Sequence, residues 1–177
     1  KIETLQRECH RLETILEDFL RFARVCDLSP EPIDVNEVLR ELVEFQTPQC
    51  QLHGIVVRDN LPDPLPKVRV DRDFFRQAVL NLMLNAQQAM SGGGELIVKS
   101  RNDDRFVYVE IIDTGVGMKP ETLQKIFRPF FSTRKGGSGL GLPTTKKIIE
   151  AHHGRLLVAS EPGKGTAFTI QLPCEPA

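Results

Sequence analysis

The segment Arg128-Pro-Phe-Phe-Ser-Thr-Arg-Lys-Gly-Gly-Ser-Gly-Leu-Gly-Leu142 sets two adjacent phenylalanines and two cations ahead of glycines at 137, 139 and 141. Such spacing lets a backbone bend tightly and bring its N–H groups up to phosphate oxygens. Arg134 and Lys135 stand just upstream, where they meet the same anion. The last glycine runs into a helix start, itself a natural anion site. On this reading the segment is a phosphate-binding lid. The residues alone also permit a flexible linker with the phenylalanines in a core.

Downstream of the lid, a helix from about Leu142 to His152 is expected to end at Gly154. Arg155 to Ser160 and Thr166 to Leu172 then read as a hairpin about Pro162-Gly-Lys-Gly165. His152-His153 reads as a helix C-terminal cap favoured by the dipole, not as a metal site. Upstream, a short helix follows Pro120, and Asp113-Thr-Gly-Val-Gly117 closes the apolar strand Phe106 to Ile112. There a carboxylate could accept from an exocyclic amine while glycines admit a flat ring. A plain turn with Asp113 as turn former fits the same residues. A strand Glu95 to Ser100 precedes, after a helix from Arg72 to Met90 capped by Asp71 and ended by Ser91-Gly-Gly-Gly94. On that helix Asn81 and Asn85 are one turn apart and share a face. An amide oxygen suits Mg²⁺, although two helical asparagines are also ordinary solvated groups. Still earlier, Asp34 caps a helix to about Cys50, Gly54 to Arg58 reads as a strand, and Leu61 to Pro66 as a proline-rich loop. Strands grouped beside helices indicate a two-layer α+β sandwich with a mixed sheet and helices on one face.

The chain of 177 residues suffices for one core and a small appendage. A net charge of -1 gives no nucleic-acid footprint, and no apolar run is long enough to span a bilayer. Cys9, Cys26, Cys50 and Cys174 are scattered, with no CxxC pair, which points to free thiols in the cytoplasm. Residues 1–28 carry a heptad, Ile2, Leu5, Cys9, Leu12, Leu16, Phe19, Ala23 and Cys26, the seam of a coiled coil or helix bundle. Residues 29–33, with Pro30 and Pro32, read as a linker, and 34–177 as the second domain. Because the chain opens inside a helical pattern without a methionine, it is expected to be a piece of a longer protein. A Walker A loop is excluded, because Gly163-Lys-Gly-Thr166 lacks the upstream glycine, and no GxGxxG fingerprint follows a strand.

The order Asn81-x-x-x-Asn85, Asp113-x-Gly-x-Gly117, Phe127-x-x-Phe130-Phe131, Gly137-x-Gly139-x-Gly141 and Gly163-x-Gly165-Thr166 closely resembles the N, G1, F and G2 boxes and final glycine turn of bacterial sensor histidine kinases. Their ATP-binding domain belongs to the GHKL superfamily, with its Bergerat-type fold. The resemblance implies an ATP-binding catalytic domain from about Asp34 to Pro173, preceded by the second helix of a dimerisation hairpin. It implies that Asp113 binds the adenine amine, with Gly115 and Gly117 beneath the ring and Met118 nearby. Asn85 is expected to ligate Mg²⁺ and Asn81 to support the phosphates. Gly137, Gly139, Leu140 and Gly141 are expected to wrap them, with Arg134 or Lys135 stabilising the transferred group. Phe127, Phe130 and Phe131 are expected to anchor the lid and help dock it on the helix bundle, and Thr166 to lie near the base. Gln88 stands where many of these kinases carry a phosphate-reaching lysine, and Gln88-Ala-Met is similar to the nitrogen-regulation subtype.

The implied reaction is γ-phosphoryl transfer from Mg-ATP to a histidine and thence to a response-regulator receiver domain, in a homodimeric parent. Hydrolytic relatives carry a glutamate at the position of Asn81; an amide is no base for water, which suits transfer. No His-Glu-x-x-x-Pro phosphoacceptor motif occurs, and His10 lies in another context. The alternatives are a serine kinase of the anti-sigma-factor type and a nucleotide-binding pseudokinase.

Overall fold

The protein was analysed as a computed structural model that describes Leu16, Leu20, residues 27–134 and residues 137–175. Leu16 and Leu20 are helical and exposed. The remainder of the expected heptad helix, with Cys9, His10 and Cys26, lies outside the described residues, as does Lys135.

Two helices begin where aspartates cap them. Asp34 accepts from the Asn36 N–H at 2.9 Å and opens α1, Val35–Leu52. Asp71 accepts from the N–H groups of Asp73 and Phe74, both at 3.1 Å, and opens α2, Arg72–Ala89. Each cap satisfies donors that the first helical turn leaves without partners. Spacing of three and four along α2 puts Phe75, Ala78, Val79, Leu82, Met83 and Ala86 on one buried stripe. Asn81 and Asn85 lie just off that stripe, both half-buried.

The strands alternate. β4, Gly94–Asn102, buries Leu96, Val98 and Ser100; β5, Phe106–Asp113, buries Val107, Val109, Ile111 and Asp113. β7, Gly165–Pro173, buries Thr166, Phe168, Ile170 and Leu172 on the same face. With β2, Ile55–Asn60, and β6, Arg155–Glu161, they form one sheet in the order β2-β4-β5-β7-β6. Only the β2–β4 pair in that sheet is parallel, joined through α2. The helices α1, α2 and α4 (Gly141–Ala151) cover the apolar face, and α3 is the single turn Pro120–Leu123. Each large side chain buried here, such as Phe75 or Leu82, contributes about 1.5–3 kcal/mol. The architecture is the expected α+β two-layer sandwich with a mixed sheet. No helix among the described residues is long and apolar enough to cross a membrane.

Four local expectations are corrected. Within the proposed linker 29–33, Glu31–Ile33 forms β1, paired antiparallel with β3, Val68–Val70. Pro32 sits in that pair and Pro66 just before it, so proline obscured two strands that are short enough to tolerate it. The first helix runs past Cys50 to Leu52, with Pro48 inside it, and β2 extends past Arg58 to Asn60.

The fourth concerns His152. It is the C-cap of α4 as expected, but it is not a charged group held there by the helix dipole; it is 4% exposed and ties the end of α4 to the start of α2. Its Nε2 lies 2.9 Å from the Asp71 N–H, which only donates, and its Nδ1 lies 2.8 Å from the Ile148 carbonyl, which only accepts. The ring is therefore neutral with its proton on Nδ1. Burial pushes its pKa below the ordinary imidazole value, against the smaller pull of the Ile148 carbonyl and the Asp71 charge. The folded ring thus resists a proton that the unfolded chain accepts. Stability is expected to fall as pH drops from about 6.5 toward the folded pKa, and to level off below it. Urea midpoints between pH 8 and 5 measure this, and His152→Gln, which cannot titrate, should flatten that part of the slope.

Candidate functional site

The residues 113–118 after β5 are held from three sides. From β4, the Thr114 N–H donates to the Glu95 carbonyl at 3.2 Å while the Glu95 N–H donates to Thr114 Oγ1 at 2.9 Å. From the end of α2, the Ala89 carbonyl accepts the Val116 N–H at 3.1 Å. From the β6–β7 turn, the Gly163 N–H donates to the Val116 carbonyl at 2.8 Å, and Ser160 Oγ accepts the Met118 N–H at 2.9 Å. Glycine is required where these backbones cross. A Cβ on Gly117 (φ 62°) would lie 2.0 Å from the Glu161 carbonyl oxygen, and one on Gly165 (φ 93°) 1.9 Å from the Asp113 carbonyl oxygen. A Cβ on Gly115 would lie 2.5 Å from the Ala89 carbonyl oxygen.

This loop presents Asp113 on the helix-facing side of the sheet, 4% exposed. Its Oδ1 accepts the Gly115 N–H at 2.8 Å, and the Thr166 N–H also donates to the carboxylate. Burial pushes the pKa of Asp113 up, opposed by those two N–H groups and by the charge of Arg134. Thr166 is the neighbour of Asp113 across the β5–β7 ladder and is itself buried. Gly117 and Met118 continue the loop, with Met118 packed against the core.

The helix side is supplied by α2. Asn85 Oδ1 accepts from Arg134 Nη1 at 3.1 Å, and the Asn85 carbonyl accepts from Nη2 of the same guanidinium at 3.2 Å. Arg134 thereby brings the lid, the asparagine helix and the Asp113 loop together, since its charge also acts on Asp113. Its own backbone is fixed by Ser132 Oγ, which accepts the Arg134 N–H at 3.1 Å. Asn81 lies one turn earlier, its Nδ2 directed at the Gly141 carbonyl (3.4 Å) and Thr145 Oγ1 (3.5 Å), contacts at the long end of hydrogen bonding. Gln88 lies at the exposed end of the helix.

The lid residues divide. Leu140 is 1% exposed, so its side chain anchors the lid in the interior; its N–H meets Ser138 Oγ at 3.4 Å. Gly141 starts α4, one residue earlier than expected. Gly139 (φ 68°) crosses Phe130 (φ 64°), whose N–H donates to the Gly139 carbonyl at 3.1 Å. Phe127 packs on the core with the Lys146 ammonium 5.2 Å from its ring centre, Phe131 is half-buried, and Phe130 is 64% exposed. Gly137 is exposed beside Ser132. The structure thus brings Asp113, Gly115, Gly117, Met118 and Thr166 together at one end and Asn81, Asn85, Arg134 and Gly141 at the other. Phe130 and Gln88 are both exposed.

Sequence reasoning missed Ser160 and Thr114. Ser160 is legible in hindsight, because a hairpin turning at 162–164 places it opposite Thr166. Among the described residues no group of three or more His, Cys, Asp or Glu side chains could hold a metal. Cys50 and Cys174 are free thiols.

The family described as "Histidine kinase-, DNA gyrase B-, and HSP90-like ATPase" matches residues 70–176. The chain is 32% identical over 171 residues to the sensor histidine kinase ZraS of Escherichia coli, which covers 97% of this chain and 37% of ZraS. It is similar to the full-length kinase ShkA in complex with AMPPNP, with a TM-score of 0.86 at 30% identity over 98% of this chain and 38% of ShkA. It is also similar to the histidine kinase ThkA in complex with the response regulator TrrA, with a TM-score of 0.82 at 27% identity over 99% of this chain and 51% of that one.

Gly165→Ala is expected to destabilise the fold by on the order of 3 kcal/mol, combining a backbone collision with a left-handed φ. Gly163→Ala, which meets nothing within 4 Å, should cost only the strain of its positive φ. Urea denaturation of the two variants side by side measures the difference.

Proposed function

The chain belongs to the family of histidine kinase-, DNA gyrase B- and HSP90-like ATPases, and we propose that it is the ATP-binding catalytic part of a sensor histidine kinase. In this reading the γ-phosphoryl group of Mg-ATP passes to a histidine on the helical hairpin of the full-length, homodimeric protein. From there it moves to an aspartate of a response-regulator receiver domain. The observation that carries the reading is Arg134, whose guanidinium joins the lid to Asn85 of the helix while its charge faces Asp113. A base-binding carboxylate and a phosphate-binding cation are thereby set around one space.

Asp113 accepts the exocyclic amine of adenine, Gly115 and Gly117 admit the ring, and Met118 and Thr166 border it. Asn85 suits a magnesium ion shared with the phosphates, because its Oδ1 already faces a cationic group and is a neutral oxygen donor. Bound there, magnesium would neutralise phosphate charge. Asn81 contributes an amide that holds the start of α4 and takes no proton from water. Backbone N–H groups of Gly137, Gly139, Leu140 and Gly141, with Arg134 and Lys135, cover the phosphates and stabilise charge on the transferred group. Phe127 and Phe131 fix the base of the lid. Exposed Phe130 is the residue that would dock on the helical bundle.

Kinship with sensor histidine kinases and the ThkA–TrrA complex support phosphorelay over the serine-kinase alternative. The nitrogen-regulation subtype rests on Gln88-Ala-Met alone. Free thiols at Cys50 and Cys174 fit a cytoplasmic location.

Asp113→Asn removes a charged acceptor and is expected to weaken Mg-ADP binding by about 2–3 kcal/mol, roughly 30- to 150-fold, with the fold intact. Asn85→Ala should make the remaining ADP affinity insensitive to magnesium. Titration calorimetry with and without EDTA measures both; undiminished binding by Asp113→Asn overturns the site. In the full-length protein, label from γ-labelled ATP should be acid-labile phosphohistidine, and acid-stable phosphoserine would sink the reaction.

A further inference from the structure

Asp113, Thr166 and Ser160 form a row across three adjacent strands. The ladder pairs Asp113 with Thr166 and Thr166 with Ser160. Residues directly opposite one another share a face, so all three side chains stand on the helix-facing side of the sheet, beside a largely apolar core.

The direction of each hydrogen bond in this row follows from its partners. The Met118 N–H, a donor only, gives its proton to Ser160 Oγ at 2.9 Å. The Gly165 carbonyl, an acceptor only, takes the proton of Ser160 at 3.0 Å. A serine hydroxyl has one proton, and that one is spent. The contact between Ser160 Oγ and Thr166 Oγ1 at 3.0 Å must then run from the threonine O–H to the serine oxygen. Thr166 is left with lone pairs alone, beside a carboxylate that also only accepts.

We propose that Ser160 is a positioning residue that fixes Thr166 as an acceptor and so sets the base selectivity of the site for 6-amino over 6-oxo purines. The proposal rests on the nucleotide reading above and deepens it. An adenine amine has two N–H donors to offer a pair of acceptors. The 6-carbonyl of hypoxanthine or guanine brings lone pairs against them, and Thr166 has no free proton with which to meet it. Without Ser160, the Thr166 hydroxyl turns freely and can donate to that carbonyl.

Titration calorimetry of wild-type protein, Ser160→Ala, Ser160→Thr and Thr166→Val with Mg-ADP and Mg-IDP tests this, since the two nucleotides differ at position 6 of the base. Wild-type protein is expected to prefer ADP. Ser160→Ala should reduce that preference about tenfold, by weakening ADP and strengthening IDP, while Ser160→Thr keeps the hydroxyl and restores it. Thr166→Val should lower the preference too, and adding Ser160→Ala to it should change nothing further. An unchanged ADP/IDP ratio in Ser160→Ala, or both affinities falling in parallel, leaves Ser160 as mere loop support and overturns the proposal. Equal behaviour of Ser160→Ala and Ser160→Thr overturns it as well. If wild-type protein binds neither nucleotide, the nucleotide reading itself falls, and the role of Ser160 with it.

Discussion

Bare backbone crossing bare backbone is the constraint on which this molecule depends. Where the loop after β5 lies on the β6–β7 turn, no side chain fits between the chains, and Gly117 and Gly165 meet carbonyl oxygens of the opposite segment. Gly115 does the same against the end of α2. Such closeness lets one short loop be hydrogen-bonded by a strand, a helix end and a hairpin together. A loop with that many partners has one conformation. Asp113 inherits its position from it.

This rigidity makes a buried carboxylate tolerable. An ionisable group on the inner face of an apolar sheet is costly unless its lone pairs are met. The Gly115 and Thr166 N–H groups meet them, and both come from the crossing itself: one from the loop, the other from the strand beneath. Burial still raises the pKa of Asp113, so the amides offset part of the cost and leave the group poised toward a partner that donates. Ser160 extends the same economy by one strand, giving the buried Thr166 hydroxyl an acceptor.

Much of this was legible in the sequence wherever a residue's role follows from local pattern. The stripe of α2, the Asp34 and Asp71 caps, the glycine-bounded turn and each polar motif by itself depend on neighbours within a few positions. What escaped depends on partners far along the chain. That the His152 cap is buried and neutral was hidden because its partner, the Asp71 N–H, is 81 residues away. Leu140 reads as part of a glycine-rich wrap, yet its side chain is interior. The pair β1–β3 hides among prolines because three-residue strands carry almost no period to detect. The seat of Arg134 on Asn85 is likewise a meeting of segments 49 residues apart, and spacing alone does not contain it.

The two ends of the site are held by different physics. At the Asp113 end, the contacts are half-buried hydrogen bonds and glycine crossings whose backbones leave little room for another packing. At the Asn85 end, the described roof is held by Arg134, whose bonds to Asn85 are solvent-exposed, and by long contacts from Asn81. Exposed charged contacts of this kind contribute about 0–1 kcal/mol and weaken with salt. The Asp113 end is therefore fixed, while the groups at the Asn85 end can be rearranged at little cost. A guanidinium resting on an oxygen suited to a cation is held strongly enough to order the lid's start, and weakly enough to give way to a better-placed charge. In the proposed reading, that asymmetry suits a site that binds one nucleotide selectively and then reshapes its lid around the transferred group.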